Sequence, residues 1–444
     1  MNAIQTTFHS ITFKVLGIGF LTLLMLIPLA QVQGLIGERN GLRESAVSQI
    51  ASSWGGRQQL GGLVLAVPKR VRVETSNGWL NQDSTEIVLA DRLDIRGTLA
   101  PETRSYGIYD APVYTAALKL SGSFLVSDIK ALAAAETTYL WDRAELRLPV
   151  SDVRGIRRIS ALHIGNNNYN FAPGEGGVGS TSAIAVPFDP RKLEGEQVPF
   201  ELDLTLAGTQ SLELIPLARR VEASLTAPWP DPSFFGAFLP AERRIDQKSF
   251  EAHWQVLDLN RSFGQHWEQD ARHSGDIATA AFGVALYRPV SIYQQNERAG
   301  KYGVLFIALT FVAFFLFEVL KKLRVHPVQY LLIGVALSTF YLVLLALSEQ
   351  IGFALAYLAA AVAVIALVAG YATAVLRARR AGLVLGAMLS LVYTLLYGLI
   401  VSEQYSLLMG ALALLAIIAT LMYLTRKIDW YNAMPLAMPS PAAR

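Results

Sequence analysis

Two histidines and three carboxylates stand close together in the stretch HWEQDARHSGD, residues 266–276. They are His266, Glu268, Asp270, His273 and Asp276. Imidazole and carboxylate groups can bind a divalent metal ion. However, the spacing matches no defined metal motif, and a polar segment of this kind is typical of a solvated loop. We therefore predict no metal site and no cofactor.

The rest of the sequence offers little further catalytic chemistry. It has no cysteine, which excludes disulfides, cysteine-ligated zinc, iron–sulfur clusters and thiol catalysis. Serine is plentiful, but no G-x-S-x-G nucleophile elbow occurs in a strand–turn–helix context. A hydrolase would then depend on His266 and His273, whereas His163 and His253 are interpreted as structural. We predict that the protein is not an enzyme.

Glu318 is the one acidic, basic or imidazole side chain inside the long apolar windows of the chain. Such a residue is a functional candidate, because a charge at the membrane centre costs about 2.5–3.5 kcal/mol. A structural alternative is an interfacial pair with Lys321 or Lys322, which lie three and four residues later. His326 and Glu349, at the ends of the next window, are further candidate functional residues.

The stretch PWPDPSFFGAF, residues 228–238, is rich in proline and aromatic residues. Trp229, Phe234 and Phe235 are candidates for anchoring a partner or resting on a membrane surface, since rigid aromatic loops do both. The alternative is that these rings cap the core of their own domain.

The elements that must position these residues follow from the distribution of apolar residues. Of 444 residues, 52% are hydrophobic and 16% are charged, against about 25% charged in average soluble proteins. A bilayer core of about 30 Å requires about 20 helical residues. Six windows fit: 15–32, 302–320, 328–347, 351–376, 382–401 and 405–424. We interpret 15–32 as an uncleaved anchor, because it is longer than the apolar core of a signal peptide and has a poor cleavage site.

The orientation follows from basic residues next to these windows. Those at alternate junctions are Lys14, Lys321, Lys322, Arg324, Arg377, Arg379, Arg380, Arg426 and Lys427. Arg39, Arg43, Arg298 and Lys301 flank the long segment 33–300, where the rule is weak. The alternate loops, around Glu349 and Glu403, contain no lysine or arginine. We therefore expect a cytoplasmic N-terminus (1–14), a cytoplasmic tail (425–444) and an outward-facing segment 33–300. The repeated Ser-Glu-Gln triplets at 348–350 and 402–404 are predicted to be outward-facing turns.

The segment 33–300 has β-strand character. Its β-branched and alternating runs are separated by Gly, Pro, Asn and Asp clusters. The fold class predicted for the chain is α+β: six transmembrane helices with a large, mainly β, sandwich-like domain inserted after the first helix. Residues 200–228 read as a meander of three antiparallel strands, and 173–182 as a glycine-rich loop. In the membrane region, the bulky 311–317 is expected to face lipid.

Several stretches resemble the CreD family of inner-membrane proteins of Gram-negative bacteria. The resemblance is densest in 301–318, 326–353 and 424–431, and includes "SDVRGI" (151–156), 227–245 and "FEAHW" (250–254). It implies a bacterial inner-membrane location and an association with cell-envelope integrity, control by a sensor kinase and response regulator, colicin tolerance and β-lactam responses. It implies no catalytic activity and no cofactor.

The function predicted from these features is that of a non-enzymatic envelope protein. Its periplasmic domain would sense conditions or bind a periplasmic or inner-membrane protein of unknown identity, and its helices would lie in the lipid bilayer. A net charge of +3 gives no indication of a nucleic-acid partner. The alternative is a transporter or lipid-handling protein with a polar path along the spans 328–347 and 382–401. The hydroxyls of that path would be Ser338, Thr339, Tyr393 and Thr394.

Overall fold

The computed structural model describes residues 11–75, 78–133, 138–174, 176–179, 181–193, 195–269, 271–286, 291–320, 325–375, 379–402 and 405–426. The chain divides into two compact units. The helical unit comprises Met1–Leu42 and Val290–Arg444, and the β unit comprises Arg43–Pro289. The β unit lies inside the predicted segment 33–300.

The described residues form nine α-helices. They are α1 (Ile11–Leu24), α2 (Leu26–Trp54), α3 (Val126–Ala133), α4 (Ala271–Thr279), α5 (Ile292–Leu320), α6 (Pro327–Ile351), α7 (Phe353–Val375), α8 (Arg379–Val401) and α9 (Ser406–Thr425). Only Met25 separates α1 from α2, and its amide still donates to the carbonyl of Leu21, at 3.0 Å. We call α1 and α2 together the N-terminal helix.

Five helical segments in the described residues are long and apolar enough to cross a membrane. They are Lys14–Trp54, Ile292–Val319, Pro327–Ile351, Phe353–Val375 and Arg379–Val401. The apolar stretch Leu407–Thr420, in α9, is shorter, so the sixth span at 405–424 stays a prediction.

The triplet at 348–350 is not a turn. Ser348, Glu349 and Gln350 form the last turn of α6, and the chain reverses at Gly352, which has a φ of 78°. Glycine tolerates this left-handed conformation without a steric penalty, so it ends the helix where the polar triplet does not. Most of the second triplet, residues 403 and 404, lies outside the described residues.

Aromatic rings form the centre of the contact between α6, α7 and α8. The ring of Phe340 lies 5.4 Å from that of Tyr357 and 4.7 Å from that of Tyr393. The hydroxyl of Tyr357 donates to the backbone carbonyl of Tyr393, at 2.7 Å. This bond joins α7 to α8 where apolar surroundings offer few other partners.

The β unit contains nineteen strands among its described residues. They are β1 (Gln58–Gly61), β2 (Val64–Thr75), β3 (Gly78–Tyr106), β4 (Tyr109–Leu125), β5 (Thr138–Tyr139), β6 (Glu145–Val150), β7 (Ile156–Ile159), β8 (Leu162–Ile164), β9 (Asn167–Tyr169), β10 (Ala172–Pro173), β11 (Ser182–Pro187), β12 (Gln197–Thr209), β13 (Ser211–Ile215), β14 (Ala218–Ala227), β15 (Pro232–Gly236), β16 (Glu242–Ile245), β17 (Phe250–Leu257), β18 (His266–Glu268) and β19 (Phe282–Leu286).

The strands make two sheets that share β3. In the first sheet, β6 lies between β11 on one side and β1 and β2 on the other, and β1 continues through β13 and β19 to β15. The first half of β3 pairs with β2 and β18. In the second sheet the order is β16, β17, β14, β3, β4 and β12, followed by β7 and β8. The mainly β domain is therefore confirmed.

The largest core of the β unit lies against both sheets. Leu65 and Leu148 from the first sheet and Leu120, Leu202 and Trp254 from the second are all fully buried in one cluster. In β12 buried and exposed residues alternate along the strand, which places one face on this core and the other outside. A second cluster, including Val178, Trp267 and Ile277, covers the other face of the first sheet.

The predicted meander at 200–228 is wrong. β12 pairs with β4, β13 pairs with β1 and β19, and β14 pairs with β3 and β17. Gln210, between β12 and β13, has a φ of 68°, and this tight turn takes the chain from the second sheet to the first. Alternation along a strand reports one buried face, but it does not report the strand's partner.

Candidate functional site: the ends of the N-terminal helix

Glu318 lies near the end of α5 and is 3% exposed. Its Oε1 is ion-paired with the Nζ of Lys14 in α1 and accepts the backbone N–H of Val325, at 3.0 Å. Its Oε2 accepts the hydroxyl of Tyr330 in α6, at 2.9 Å. The carboxylate thus joins three helices, and each of its oxygens has at least one donor.

The surroundings of Glu318 correct one expectation from the sequence. Phe311 and Phe314 are buried, and their rings lie 5.9 and 5.5 Å from that of Tyr330. The prediction that 311–317 faces lipid is therefore wrong. These rings surround the phenol that binds the carboxylate. The proposed partners Lys321 and Lys322 lie outside the described residues.

The second candidate carboxylate, Glu349, also meets the N-terminal helix. Its Oε1 lies 3.9 Å from the Nε of Arg39 in α2 and accepts the hydroxyl of Tyr293 in α5, at 2.9 Å. Lys14 and Arg39 are 25 residues apart, which at about 1.5 Å per residue is about 37 Å of helix. The N-terminal helix is therefore ion-paired to the other helices of its unit at two positions, which are separated by more than the thickness of a bilayer core, about 30 Å.

A buried amide lies beside the second ion pair. Asn296 is 1% exposed, and its Nδ2 donates to the hydroxyl of Ser348, at 2.9 Å, and to the carbonyl of Ile292, at 2.8 Å. Its Oδ1 is buried with no hydrogen-bond partner among the described residues. This amide therefore holds α5 against α6 through its donors alone.

Glycines permit close packing between these two ends. Ideal Cβ atoms built on Gly303 and Gly334 would lie 3.0 Å from Leu29 and 2.8 Å from Met25. Met25 and Leu29 are one helical turn apart and are both 3% exposed. Small residues at these positions let α5 and α6 approach the N-terminal helix.

Trp54, the last residue of α2, is held inside the β unit. The guanidinium groups of Arg104 and Arg157 lie 4.0 and 4.6 Å from its ring centroid. Its Nε1 donates to the carbonyl of Tyr114, at 3.2 Å. The guanidinium of Arg157 also donates to the carbonyl of Trp54, at 2.9 Å, and so satisfies a group that the helix end leaves free.

The "SDVRGI" stretch forms the rest of this docking site. The carboxylate of Asp152 accepts the backbone N–H of Gly56, at 3.0 Å, and two bonds from the guanidinium of Arg154, both at 2.9 Å. Arg154 also donates to the carbonyl of Ser52, at 3.3 Å. The C-terminal end of a helix dipole is negative and attracts cations. This stretch therefore stabilises the end of α2 electrostatically as well as by hydrogen bonds.

The same contacts determine the charge state of Asp152. The hydrogen bonds from Arg154 lower the pKa of this carboxyl, and they outweigh the opposing effect of its partial burial. The amide of Gly56 lowers the pKa further. Asp152 therefore stays ionised through the neutral range and holds the end of α2 as a carboxylate.

The chain is similar to known proteins over nearly its whole length. The family model described as Inner membrane protein CreD matches residues 10–431. The chain belongs to the CreD family of inner membrane proteins. It is also 34% identical over 413 residues to the Inner membrane protein CreD of Escherichia coli (strain K12). This alignment covers 92% of the present chain and 91% of that protein.

His326 has a structural position in this CreD-family protein. Its Nδ1 accepts the backbone N–H of Val328, at 3.3 Å, while the side chain of Gln329 accepts the N–H of His326, at 3.0 Å. With Pro327 as the first residue of α6, these bonds cap the helix start.

The candidate aromatic loop packs on its own domain. Trp229 and Phe234 are partly buried against the main core, and Phe234 lies edge-on to Trp254 at a ring distance of 5.7 Å. Phe235 is half-buried in β15. The packing of Trp229 and Phe234 is that of the capping alternative.

His266 and His273 do not come together. The Nδ1 of His266 lies 3.1 Å from the Oε1 of Glu86, whereas the ring of His273 stacks on Trp267 with centroids 5.9 Å apart. No group of three metal-binding His, Cys, Asp or Glu side chains occurs among the described residues, which omit Asp270. Residues 266 and 267 point to opposite faces of β18, so the two histidines are separated by the sheet.

Glu86 belongs to a buried ion-pair network that the sequence did not reveal. Its Oε2 lies 2.7 Å from the Nζ of Lys69, which is also 3.1 Å from the Oε2 of Glu268. Burial opposes the charge of Lys69, but the hydrogen bonds that its ammonium donates to the two glutamates, together with their negative charges, outweigh burial and raise the pKa of this lysine. The pairing of β2 with β3 brings residues 69 and 86 near each other in the sheet, and sequence pattern alone gave no signal of it.

The hydroxyls of the transporter alternative are divided between two environments. Ser338 and Tyr393 are buried, whereas Thr339 and Thr394 are exposed on the surface of the unit. Ser338, Thr339 and Thr394 each donate to the carbonyl four residues earlier in their own helix. These four side chains therefore do not converge on one path in the described part of the bundle.

Proposed function

We propose that this CreD-family protein is a non-enzymatic inner-membrane protein in which the β unit is a periplasmic sensing or interaction module for the cell envelope. Its state would reach the membrane helices through the N-terminal helix. One observation carries the proposal: α2 is a single helix from Leu26 to Trp54, ion-paired through Arg39 in the helical unit and held at Trp54 in the β unit.

The physical basis is that a helix transmits a displacement along its axis better than a flexible linker does. In α2, the end inside the β unit is fixed by Asp152 and the arginines around Trp54. A ligand that altered those contacts would change the free energy of the helix position, provided that it bound the two states differently. In the helical unit, the groups that would respond are the ion pairs of Lys14 with Glu318 and of Arg39 with Glu349.

The basic residues adjoining alternate helices support the periplasmic location, because lysine and arginine are retained in the cytoplasm. Reporter fusions after residue 200 and after residue 444 test it. We expect the two reporters to lie in opposite compartments, with residue 200 outside. Reporters in the same compartment would overturn the location.

Complementation tests the coupling. In a strain that lacks its own copy, we expect Trp54→Ala and Glu349→Gln to fail to restore growth in detergent with a chelator, while the proteins remain inserted at normal abundance. Glu297→Gln is the control, because Glu297 forms an exposed pair with Lys301 on the same helix as Tyr293. Full complementation by both test variants would refute coupling through the N-terminal helix.

A further inference from the structure

The outer face of the second sheet carries a groove of about 510 Å³. Its charged side chains are Arg96 on β3, Lys119 on β4, Arg158 on β7 and Asp203 on β12. We propose that this groove binds an acidic oligosaccharide, laid across the strands. The inference deepens the proposed function, on which it rests, by naming a ligand class for the β unit.

Strand register places these residues in two adjacent rows. Arg96 lies opposite Lys119, which lies opposite Asp203. In the next row Thr98, Ala117 and Thr205 follow one another across the same three strands, and Arg158 pairs with Thr205. The short side chains of Thr98, Ala117 and Thr205 leave the groove open above the sheet between Arg96 and Arg158.

The spacing of the cations fits an elongated ligand. Arg96 and Arg158 are three strands apart, which is about 14 Å at about 4.8 Å per strand. Both side chains are exposed. Guanidinium groups bind carboxylate and phosphate through two parallel hydrogen bonds, so each arginine offers one anion position.

The charges in the groove favour an anion overall. Its lining has three cations and one carboxylate, Asp203. Lys119 is paired with Glu201, at 2.6 Å, and this pair lowers the pKa of Glu201, so the lysine contributes little free charge. The excess positive charge therefore comes from the two arginines at either end.

Asp203 and the hydroxyls distinguish an acidic sugar from a simple polyanion. A carboxylate in the middle of the groove repels a continuous polyphosphate but accepts hydrogen bonds from sugar hydroxyls. Hydroxyls of Thr98, Thr205, Ser224 and Thr226 line the same groove and can donate or accept. Anionic groups at the ends and hydroxyls between them match an oligosaccharide that carries acidic residues.

Calorimetry on the full chain in nanodiscs tests the assignment with four probes. They are tetragalacturonate, neutral maltotetraose, inorganic tripolyphosphate and tetraglutamate. We expect tetragalacturonate to bind at least about tenfold more tightly than the other three, because only it supplies both anions and hydroxyls. The affinity should fall as salt is raised.

The double variant Arg96→Ala with Arg158→Ala should weaken tetragalacturonate binding at least about tenfold, with an unchanged unfolding midpoint. The control, Arg220→Ala with Arg243→Ala, removes two exposed arginines of the same sheet outside the groove and should bind like the wild type. Equal weakening in both variants would show non-specific attraction and would overturn the site.

Three other results would overturn the proposal. They are no binding of tetragalacturonate, equal binding of tripolyphosphate, which indicates a simple anion site, and equal binding of tetraglutamate, which indicates an acidic peptide. Each concerns binding to the purified protein. The coupling proposed above is judged by complementation with Trp54 and Glu349 variants, so the two ideas can fail separately.

Discussion

Lys14 and Glu318 form an ion pair although 304 positions separate them in the chain. The carboxylate is almost fully buried, while the lysine side chain is 33% exposed. The carboxylate is desolvated, whereas the lysine still reaches polar surroundings. Among the described residues, removal of the lysine leaves the carboxylate with the hydroxyl of Tyr330 and the backbone amide of Val325. The pair therefore fixes the start of the N-terminal helix against α5 and α6.

The first prediction concerns this pair. Lys14→Met should lower the free energy of unfolding by about 3 kcal/mol, the lower end for a broken buried pair, because Lys14 is one-third exposed. The additional change Glu318→Gln should recover part of that loss, since the uncompensated charge is then removed. Unfolding in mixed micelles measures both effects.

Lys301→Met is the control for the first prediction. Lys301 pairs with Glu297 at 2.9 Å with both side chains more than half exposed, and such pairs contribute about 0.3–0.5 kcal/mol. A loss for Lys14→Met as small as that of the control would contradict the structural role of the Lys14–Glu318 pair.

The second prediction concerns pH. Because the pKa of Asp152 is lowered in the folded state, its contribution to stability is present above the ordinary value of 3.8 and is lost as the pH falls through the folded pKa. Asp152→Asn should therefore cost about 1–2 kcal/mol at neutral pH and less in acid. Unfolding midpoints of the full chain at both pH values measure it.

Asp189→Asn provides the comparison for Asp152. Asp189 makes the same local cap, accepting the backbone and side-chain N–H groups of Arg191 at 3.0 to 3.1 Å. Asp152 additionally binds Gly56 at the end of α2, so we expect protease cleavage near residue 55 to increase in Asp152→Asn alone. Equal cleavage in the two variants would argue against the helix-docking role.

The third prediction concerns the bond between α7 and α8. Tyr357→Phe removes the hydroxyl that binds the carbonyl of Tyr393 and should cost about 0.6–2 kcal/mol, the range for hydrogen bonds between membrane helices. Tyr371→Phe, on the same helix and only half-buried, should change the midpoint little. Unfolding in mixed micelles is again the measurement, and identical midpoints for both variants would count against the interhelical bond.

The fourth prediction concerns Gly155, in the turn that receives α2. A Cβ there would lie 2.2 Å from the Nε2 of Gln58 and 2.3 Å from the carbonyl oxygen of Ala207, so the backbone must shift. Gly155→Ala should cost about 1–3 kcal/mol or more, as overpacking does. Gly275→Ala, in α4 with open space around it, should be neutral or stabilising by up to about 1 kcal/mol. A Gly155→Ala protein with a wild-type thermal midpoint would show that this turn is loosely packed.

Much of the architecture was present in local patterns. Apolar windows of about 20 residues predicted the helices that the structure shows at Pro327–Ile351 and Arg379–Val401, because each window alone meets the length requirement of a bilayer. Alternation of apolar and polar residues predicted the buried face of β12, because successive side chains in a pleated strand point to opposite faces. Glu318 was also identified as a candidate because it is the one charge inside the apolar windows, and Glu349 because it lies between two of them.

What the sequence by itself determined about this protein was therefore composition-driven: which stretches are helical and apolar, which are strands, and which glutamates are unusual. Only the tertiary structure decided their partners. The sequence offered only nearby lysines as partners for Glu318, and these lie outside the described residues, whereas folding brings the distant Lys14 to it. Likewise, β12, β13 and β14 pair with strands far away in the chain. The physical reason is that periodicity records the burial of one residue, while an ion pair or a β-ladder depends on where two segments far apart in the chain meet.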